Sequence, residues 1–206
     1  MNVTVFGATG RTGQAFLTSA ARAGHRTTAQ VRDPARLGDA PADRVVSGSA
    51  FDESAIAEAL AGADAAVVAF GLKGNRSTPL YSRGTALIVD AMRKQDVPRL
   101  IVVSEAAYGP YAGDAVAARA VSAVYRATAR PLIREREAQD AVVAASGLEW
   151  TVVRPGVLVK GAARGNRPRS FAPRRGLPPR TTFADLAALI TGALDDPATY
   201  GQDLYP

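Results

Sequence analysis

The stretch TVFGATGRTGQ, residues 4–14, sets three glycines at intervals of three: Gly7, Gly10 and Gly13. An apolar run precedes them, and the residues that follow, QAFLTSAARAG, carry apolar side chains at helical spacing. A turn that brings backbone N–H groups against a diphosphate needs residues without a Cβ, and the start of a helix adds the positive end of its dipole. In this strand–turn–helix setting the spacing GxxGxxG predicts a dinucleotide-binding turn. The alternative is a structural turn softened by glycine.

Apolar strands and amphipathic helices alternate along the rest of the chain. Most of the predicted strands are apolar on both faces, which is typical of a parallel sheet covered by helices on each side. The strands are predicted within residues 2–6, 26–31, 43–48, 64–71, 99–104 and 148–156. The helices are predicted within residues 14–24, 52–62, 77–97, 131–147 and 181–196, the last with Thr182 and Asp185 spaced like a capping box. The sequence therefore predicts an α/β fold: a single doubly wound Rossmann-type domain over residues 1–206, with a mostly parallel sheet and a ligand crevice at the carboxyl ends of its strands.

The composition excludes several classes of site. The 206 residues include no cysteine, so we expect no disulfide framework and no thiolate nucleophile. His25 is the only histidine, which argues against a histidine-based triad and a multi-histidine metal site, and no metal is expected. No run approaches the roughly 18 to 20 apolar residues of a membrane span, and no signal region opens the chain. A cytoplasmic protein without membrane partners is the expectation.

The net charge of +6 arises from one segment. Residues 157–180 carry seven cations and no acid, and without them the cations and acids of the chain nearly balance. This basic loop is predicted near the substrate side, where it either attracts an anionic acceptor or is a solvated, mobile loop. Nucleic-acid-binding segments usually interleave aromatic and basic residues, whereas only Phe171 interrupts this run. No nucleic-acid partner is expected.

The residues after the second predicted strand bear on the choice of cofactor. They read QVRDPARL, with Arg32 as the first residue beyond the strand and Arg36 four residues later, while Arg11 lies in the glycine turn. An acid at this place reads the ribose 2′-hydroxyl of NAD, and an arginine accommodates the 2′-phosphate of NADP. NADP is therefore favoured over NAD. Asp33 either faces the ribose or opens a turn with Pro34.

Four motifs together carry a family resemblance. GATGRTG at 7–13, VRDPARL at 31–37, SGLEWTVVRPG at 146–156 and TTFADLAALITGALDDP at 181–197 resemble the atypical short-chain dehydrogenase/reductases of the NmrA-like kind. Within them the chain is most similar to the small biliverdin reductase B/flavin reductase type, which also lacks a separate substrate domain.

The resemblance implies a role for each matching position. The turn residues Gly7, Thr9, Gly10, Arg11, Thr12 and Gly13 would hold the diphosphate, and Arg32 with Arg36 the 2′-phosphate. Gly48, Ser49 and Ala50 would lie at the adenine, with Phe70 and Gly71 beside the ribose. Val103 and Ser104 would back the nicotinamide, over which Pro155, Gly156 and Val157 would close. The family usually has an acid where this chain has Ser49, which predicts a weaker hydrogen bond to adenine.

The proton-relay pair of typical short-chain dehydrogenases, Tyr-x-x-x-Lys, is missing. None of the tyrosines is followed four residues later by one of the three lysines, Lys73, Lys94 and Lys160. The catalytic candidates are instead Ser104 at the end of the fifth strand, Glu105 beside it, and Tyr108. Glu105 is either an acid or base or the cap of the following turn, and Tyr108 contacts the substrate or only packs in a surface loop.

A flavin-type acceptor requires little beyond positioning, because solvent can supply the proton. The sequence thus predicts an NADPH-dependent reductase of a flavin-like or other conjugated aromatic small molecule, with FMN or a related flavin as a candidate substrate. Two alternatives stay open: a non-catalytic NADP-sensing, partner-binding NmrA-like protein, and a biosynthetic tailoring enzyme that uses Glu105. A monomer or weak homodimer is expected.

Overall fold

The computed structural model describes residues 1–71, 79–106, 123–165, 169–172 and 179–206. Within them, seven strands form one sheet in the order β3-β2-β1-β4-β5-β6-β9, and every pairing is parallel. These strands are β1 (Asn2–Phe6), β2 (Arg26–Val31), β3 (Arg44–Ser47), β4 (Ala65–Val68), β5 (Arg99–Val103), β6 (Glu149–Val153) and β9 (Gln202–Leu204). The strand order reverses between β1 and β4, which opens a crevice at their carboxyl ends. The predicted fold class is confirmed.

Helices cover both faces of this sheet. They are α1 (Arg11–Arg22), α2 (Glu53–Leu60), α3 (Ser82–Lys94), α4 (Arg130–Ala144) and α5 (Phe183–Ala193), and residues 123–128 are helical as well. Helix α1 packs against α5 on one face, while α3 packs against α2 and α4 on the other. Alternate residues of one strand therefore enter different cores: Ile101 of β5 joins the first, and Leu100 and Val102 join the second. Burying each such side chain contributes about 1.5–3 kcal/mol.

Three short strands depart from the expected pattern. β9 lies at the edge of the main sheet beside β6, where no strand was predicted. β7 (Val157–Val159) and β8 (Arg180–Thr182) form a separate two-stranded parallel sheet. The basic segment 157–180 therefore begins and ends in paired strands. Its predicted position on the substrate side stays a prediction.

The predicted capping box before α5 is present. The Thr182 hydroxyl accepts a hydrogen bond from the Asp185 backbone N–H at 3.0 Å, and it donates one to the Asp185 carboxylate at 2.7 Å. Among the described residues, no helix combines the length and the hydropathy needed to cross a lipid bilayer.

Candidate functional site

The three glycines of the turn are required for different reasons. Gly7 has a φ of +82°, and a Cβ there would lie 2.5 Å from the carbonyl oxygen of Ala69, just after β4. A Cβ at Gly13 would lie 2.5 Å from the carbonyl oxygen of Gly7. Gly10 is exposed, and its nearest such contact is 3.2 Å. Gly7 and Gly13 thus allow the turn to pack against β4 and α1, whereas Gly10 leaves the tip of the turn open to an approaching ligand.

The start of α1 suits an anion. Gly10 is its N-cap residue, no side chain caps it, and the first turn contains no acidic residue. By contrast, Asp52 caps α2 through the Ser54 and Ala55 N–H groups at 3.1 Å. The N–H groups at the start of α1 and the positive end of its dipole therefore fit a diphosphate. Cβ atoms added at the glycines of the turn would crowd the backbone around these N–H groups.

The arginines predicted at the 2′-phosphate lie where β2 ends. Arg32 follows the strand directly and Arg36 lies in the 3₁₀ turn Pro34–Leu37; both are exposed. Neither forms an ion pair with any residue in the described part of the chain. Asp33 accepts the Ala35 N–H at 3.1 Å, so its carboxylate caps this turn. The carbonyl oxygen of Leu37 accepts a hydrogen bond from the Gln14 side chain at 3.2 Å, which connects the 3₁₀ turn Pro34–Leu37 to α1.

Arg11, the third predicted arginine, points elsewhere. It is the first residue of α1, and its guanidinium carbon lies 4.9 Å from the ring centroid of Phe183, the first residue of α5. A cation–π contact of this kind is worth about 0.5–1 kcal/mol at an exposed site. The predicted contact of Arg11 with a cofactor phosphate stays a prediction.

The residues predicted at the adenine lie in the turn after β3. Gly48 donates its N–H to Val31 at 2.8 Å, and its carbonyl accepts a hydrogen bond from the Gln30 side chain at 2.6 Å. The Ser49 hydroxyl oxygen accepts the Phe51 N–H at 3.2 Å, which leaves its O–H free to donate. Ala50 is buried in the second core together with Phe70, while Gly71 is exposed. Gln30 was not predicted; it fixes the backbone at Gly48.

The residues predicted at the nicotinamide follow β5 and β6. Ser104 is buried, and its hydroxyl donates to the carboxylate of Asp140 at 3.5 Å. Asp140 pairs with Arg154 at 2.9 Å, and Arg154 pairs with Asp203 of β9 at 2.9 Å. This polar chain connects the end of β5 with the edge of the sheet.

The turn after β6 is less enclosed. Pro155 is buried, Gly156 is partly buried and Val157 is 49% exposed. The Val157 N–H donates to the carbonyl of Pro179 at 3.0 Å, next to the pairing of β7 with β8. The predicted closure of this turn over the nicotinamide stays a prediction.

Glu105 has a hydrogen-bond partner that the sequence did not reveal. The hydroxyl of Tyr125, within the helical residues 123–128, donates to Oε1 of Glu105 at 2.8 Å. Burial raises the pKa of Tyr125, and the neighbouring Glu105 raises it further. The sequence carries no local signal for this contact, because Tyr125 lies 20 residues from Glu105 and is followed four residues later by Ala129 and not by a lysine. Tyr108, the third catalytic candidate, lies outside the described residues.

A buried arginine also lies at this edge of the sheet. Arg136 of α4 donates to the carbonyl of Val103 at 3.1 Å and to that of Phe70 at 3.5 Å, so it ties the ends of β5 and β4 together. Its guanidinium carbon lies 3.7 Å from the ring centroid of Tyr81. Among the described residues it forms no ion pair, and its Nε is buried without a hydrogen-bond partner.

A family described as NAD(P)H-binding matches residues 7–197. The chain belongs to this family. The expectation of an NAD(P)-binding protein is thereby confirmed.

Solved structures share the fold at low sequence identity. ChuY, an anaerobillin reductase from Escherichia coli O157:H7, has a TM-score of 0.78 at 23% identity, covering 100% of this chain and 96% of its own. SP1627 from Streptococcus pneumoniae TIGR4, a proposed NADH-flavin reductase, has a TM-score of 0.77 at 20% identity, with coverage of 100% and 98%. A wide-type short-chain dehydrogenase/reductase from Veillonella parvula DSM 2008, in complex with NADP, has a TM-score of 0.74 at 18% identity, with coverage of 99% and 93%.

Proposed function

We propose that this protein is an NADPH-dependent oxidoreductase that reduces a flavin-like or other conjugated aromatic small molecule by direct hydride transfer. The observation that carries the redox assignment is the match to an NAD(P)H-binding family over residues 7–197. The absence of a Tyr-x-x-x-Lys pair from the sequence is compatible with an acceptor that takes its proton from water. The names of the two reductases that share the fold, an anaerobillin reductase and a proposed NADH-flavin reductase, support the class of acceptor.

The site contributes mainly positioning to this chemistry. When bound, NADPH would supply the hydride: its C–H bond would break as a new bond forms on the acceptor, leaving NADP⁺, and water would supply the accompanying proton. The glycine turn would hold the diphosphate, and the residues around Val103 and Ser104 would lie behind the reacting ring. Holding two reactants in a productive geometry can supply about 7–11 kcal/mol of the barrier.

An acceptor panel tests the reaction. Purified protein mixed with NADPH and with FMN, riboflavin or a quinone should consume NADPH, followed as loss of absorbance in the nicotinamide band. No turnover with any acceptor would remove the proposal. A tight NADP complex without turnover, together with a stable protein partner, would favour the sensing alternative instead.

The choice of NADP over NAD rests on Arg32 and Arg36. The one acidic residue between them, Asp33, already accepts the Ala35 N–H in its own turn. Arg32→Glu should weaken NADPH binding by roughly 10- to 150-fold, because a charge-assisted contact is worth about 1.5–3 kcal/mol. NADH, which lacks the 2′-phosphate, should lose far less. Calorimetric titration of both cofactors measures the difference.

The matched control is Arg26→Glu, at the opposite end of the same strand. Arg26 is exposed and begins β2, so this variant changes the net charge equally but far from the proposed phosphate. It should leave the preference for NADPH unchanged. Equal losses for NADPH and NADH in Arg32→Glu would overturn the assignment of Arg32.

A further inference from the structure

The backbone at Glu105 is fixed on both sides. The Ser104 N–H donates to Val153 and the Ala106 N–H donates to Pro155, each at 2.9 Å. These bonds hold the residue between them against the turn that follows β6. Glu105 itself is partly buried, and it directly follows Ser104, the residue predicted behind the nicotinamide.

Within the described part of the chain, a single hydrogen bond orients the Glu105 carboxylate. Tyr125 donates to Oε1 at 2.8 Å, and no described residue donates to Oε2. Because burial and the carboxylate raise the pKa of Tyr125, the phenol keeps its proton at neutral pH and stays a donor. An ionised carboxylate offers only acceptor lone pairs, so Oε2 is suited to a hydrogen-bond donor.

The nearby charge of Arg136 belongs to the same cluster. Its positive charge lowers the pKa of Tyr125, opposing the effect of burial and of Glu105. Arg136 also binds the carbonyl of Val103, which precedes Ser104 in the chain. The buried guanidinium therefore places a positive charge at the end of β5, two residues before Glu105.

Resting on the proposed function, we propose that Glu105 determines substrate specificity by accepting, at Oε2, a hydrogen bond from a ring N–H of the acceptor. Tyr125 is the positioning residue that occupies Oε1. The acceptors selected are conjugated heterocycles with an imide or lactam N–H close to the ring that takes the hydride. A site built to pair with such a group rejects an analogue that lacks it, because its own polar group is then left without a partner.

The test compares lumiflavin, which has an N–H at ring position 3, with 3-methyllumiflavin, in which a methyl group replaces that hydrogen. With NADPH in excess, we expect kcat/KM for lumiflavin to exceed that for the methylated flavin by about 10- to 100-fold, the range for losing a hydrogen bond to a charged group. A general loss of folding would lower both values together, so the ratio of the two reports on recognition alone.

Glu105→Gln keeps the shape of the side chain and separates hydrogen bonding from a steric effect of the methyl group. Tyr125 should draw the amide oxygen to itself and leave the NH₂ facing the substrate N–H, donor against donor. The ratio should fall to about 1. If the ratio persists, the methyl group is excluded sterically and the proposal is wrong.

The double variant Glu105→Gln/Tyr125→Phe gives the most specific result. Without the phenol the amide is free to turn its oxygen toward the substrate, so part of the preference for lumiflavin should return. Tyr200→Phe is the control and should leave the ratio unchanged. Tyr200 contacts the guanidinium of Arg99, and Arg99 begins β5 at the end opposite Glu105.

The outcomes distinguish this inference from the function on which it rests. Turnover of both flavins at equal kcat/KM would overturn the role of Glu105 and leave the reductase proposal intact. No turnover of either flavin, or of any other acceptor in the panel, would overturn both.

Discussion

Arg99→Met should lower the free energy of unfolding by about 3–5 kcal/mol. Arg99 is only 1% exposed and begins β5, where it links the sheet to the end of α5. Its guanidinium donates to the carbonyls of Leu194 at 3.0 Å and of Ala193 and Glu149 at 2.5 Å. A buried carbonyl left without a donor costs about 1–3 kcal/mol, and methionine can replace none of these bonds. The Ala193 carbonyl keeps one weaker donor, the Thr199 hydroxyl at 3.3 Å. Urea unfolding, followed by circular dichroism, measures the loss.

Part of this loss is recovered, because burying the charge is itself unfavourable. Burial lowers the pKa of Arg99 to about 10, against the opposing attraction of Tyr200, Glu149 and Asp196. Methionine avoids this desolvation, and some buried ionic groups can be replaced by apolar ones without loss. Here the acceptors are backbone carbonyls that stay in place, so we expect the unfavourable effect to dominate.

Arg93→Met is the matched control. Arg93 also donates to two carbonyls, those of Ser146 at 2.8 Å and Ala145 at 2.9 Å, but its side chain is 49% exposed. Water can replace these bonds, so the loss should stay near 1 kcal/mol or below. Similar losses in the two variants would show that Arg99 does not anchor α5.

The central strands of the main sheet could be predicted because they are covered on both faces. In β4 and β5 every residue is buried, so a continuous apolar run identified them. The edge strand β9 has no such run, since only Leu204 of its three residues is buried. Its place depends on contacts that are distant in sequence, including the ion pair of Asp203 with Arg154. No local pattern contains that information.

The candidate site divides in the same way. The places of the glycine turn between β1 and α1 and of Arg32 after β2 were predictable because a few consecutive residues define them, while their contacts with a cofactor stay predictions. Arg136 was not, because the surrounding letters RERE resemble a solvent-exposed helix face. The available signal was its spacing: Ile133, Arg136, Gln139 and Val143 are the buried residues of α4, and they recur every three or four positions. A charged residue on such a stripe indicates a buried polar contact.

Gly7→Ala should both destabilise the protein and abolish NADPH binding. The backbone at Gly7 has a φ of +82°, which costs an alanine about 1–2 kcal/mol. The new Cβ would also lie 2.5 Å from the carbonyl oxygen and 2.8 Å from the carbonyl carbon of Ala69. Backbone atoms cannot rotate away as a side chain does, and overpacking of this kind costs about 1–3 kcal/mol. Denaturant unfolding should therefore show a loss of about 2–5 kcal/mol, and titration with NADPH should show no binding.

Gly24→Ala separates the two causes of that loss. Gly24 has a φ of +78°, almost that of Gly7, but no atom lies within 4 Å of its would-be Cβ. This variant should lose only the backbone cost of about 1–2 kcal/mol and should bind NADPH like the wild type. The difference between the two variants measures the packing of the glycine turn against the residues after β4. If both variants lose the same stability and keep the cofactor, Gly7 serves only its backbone angle, and the close approach of turn and strand does not shape the cofactor site.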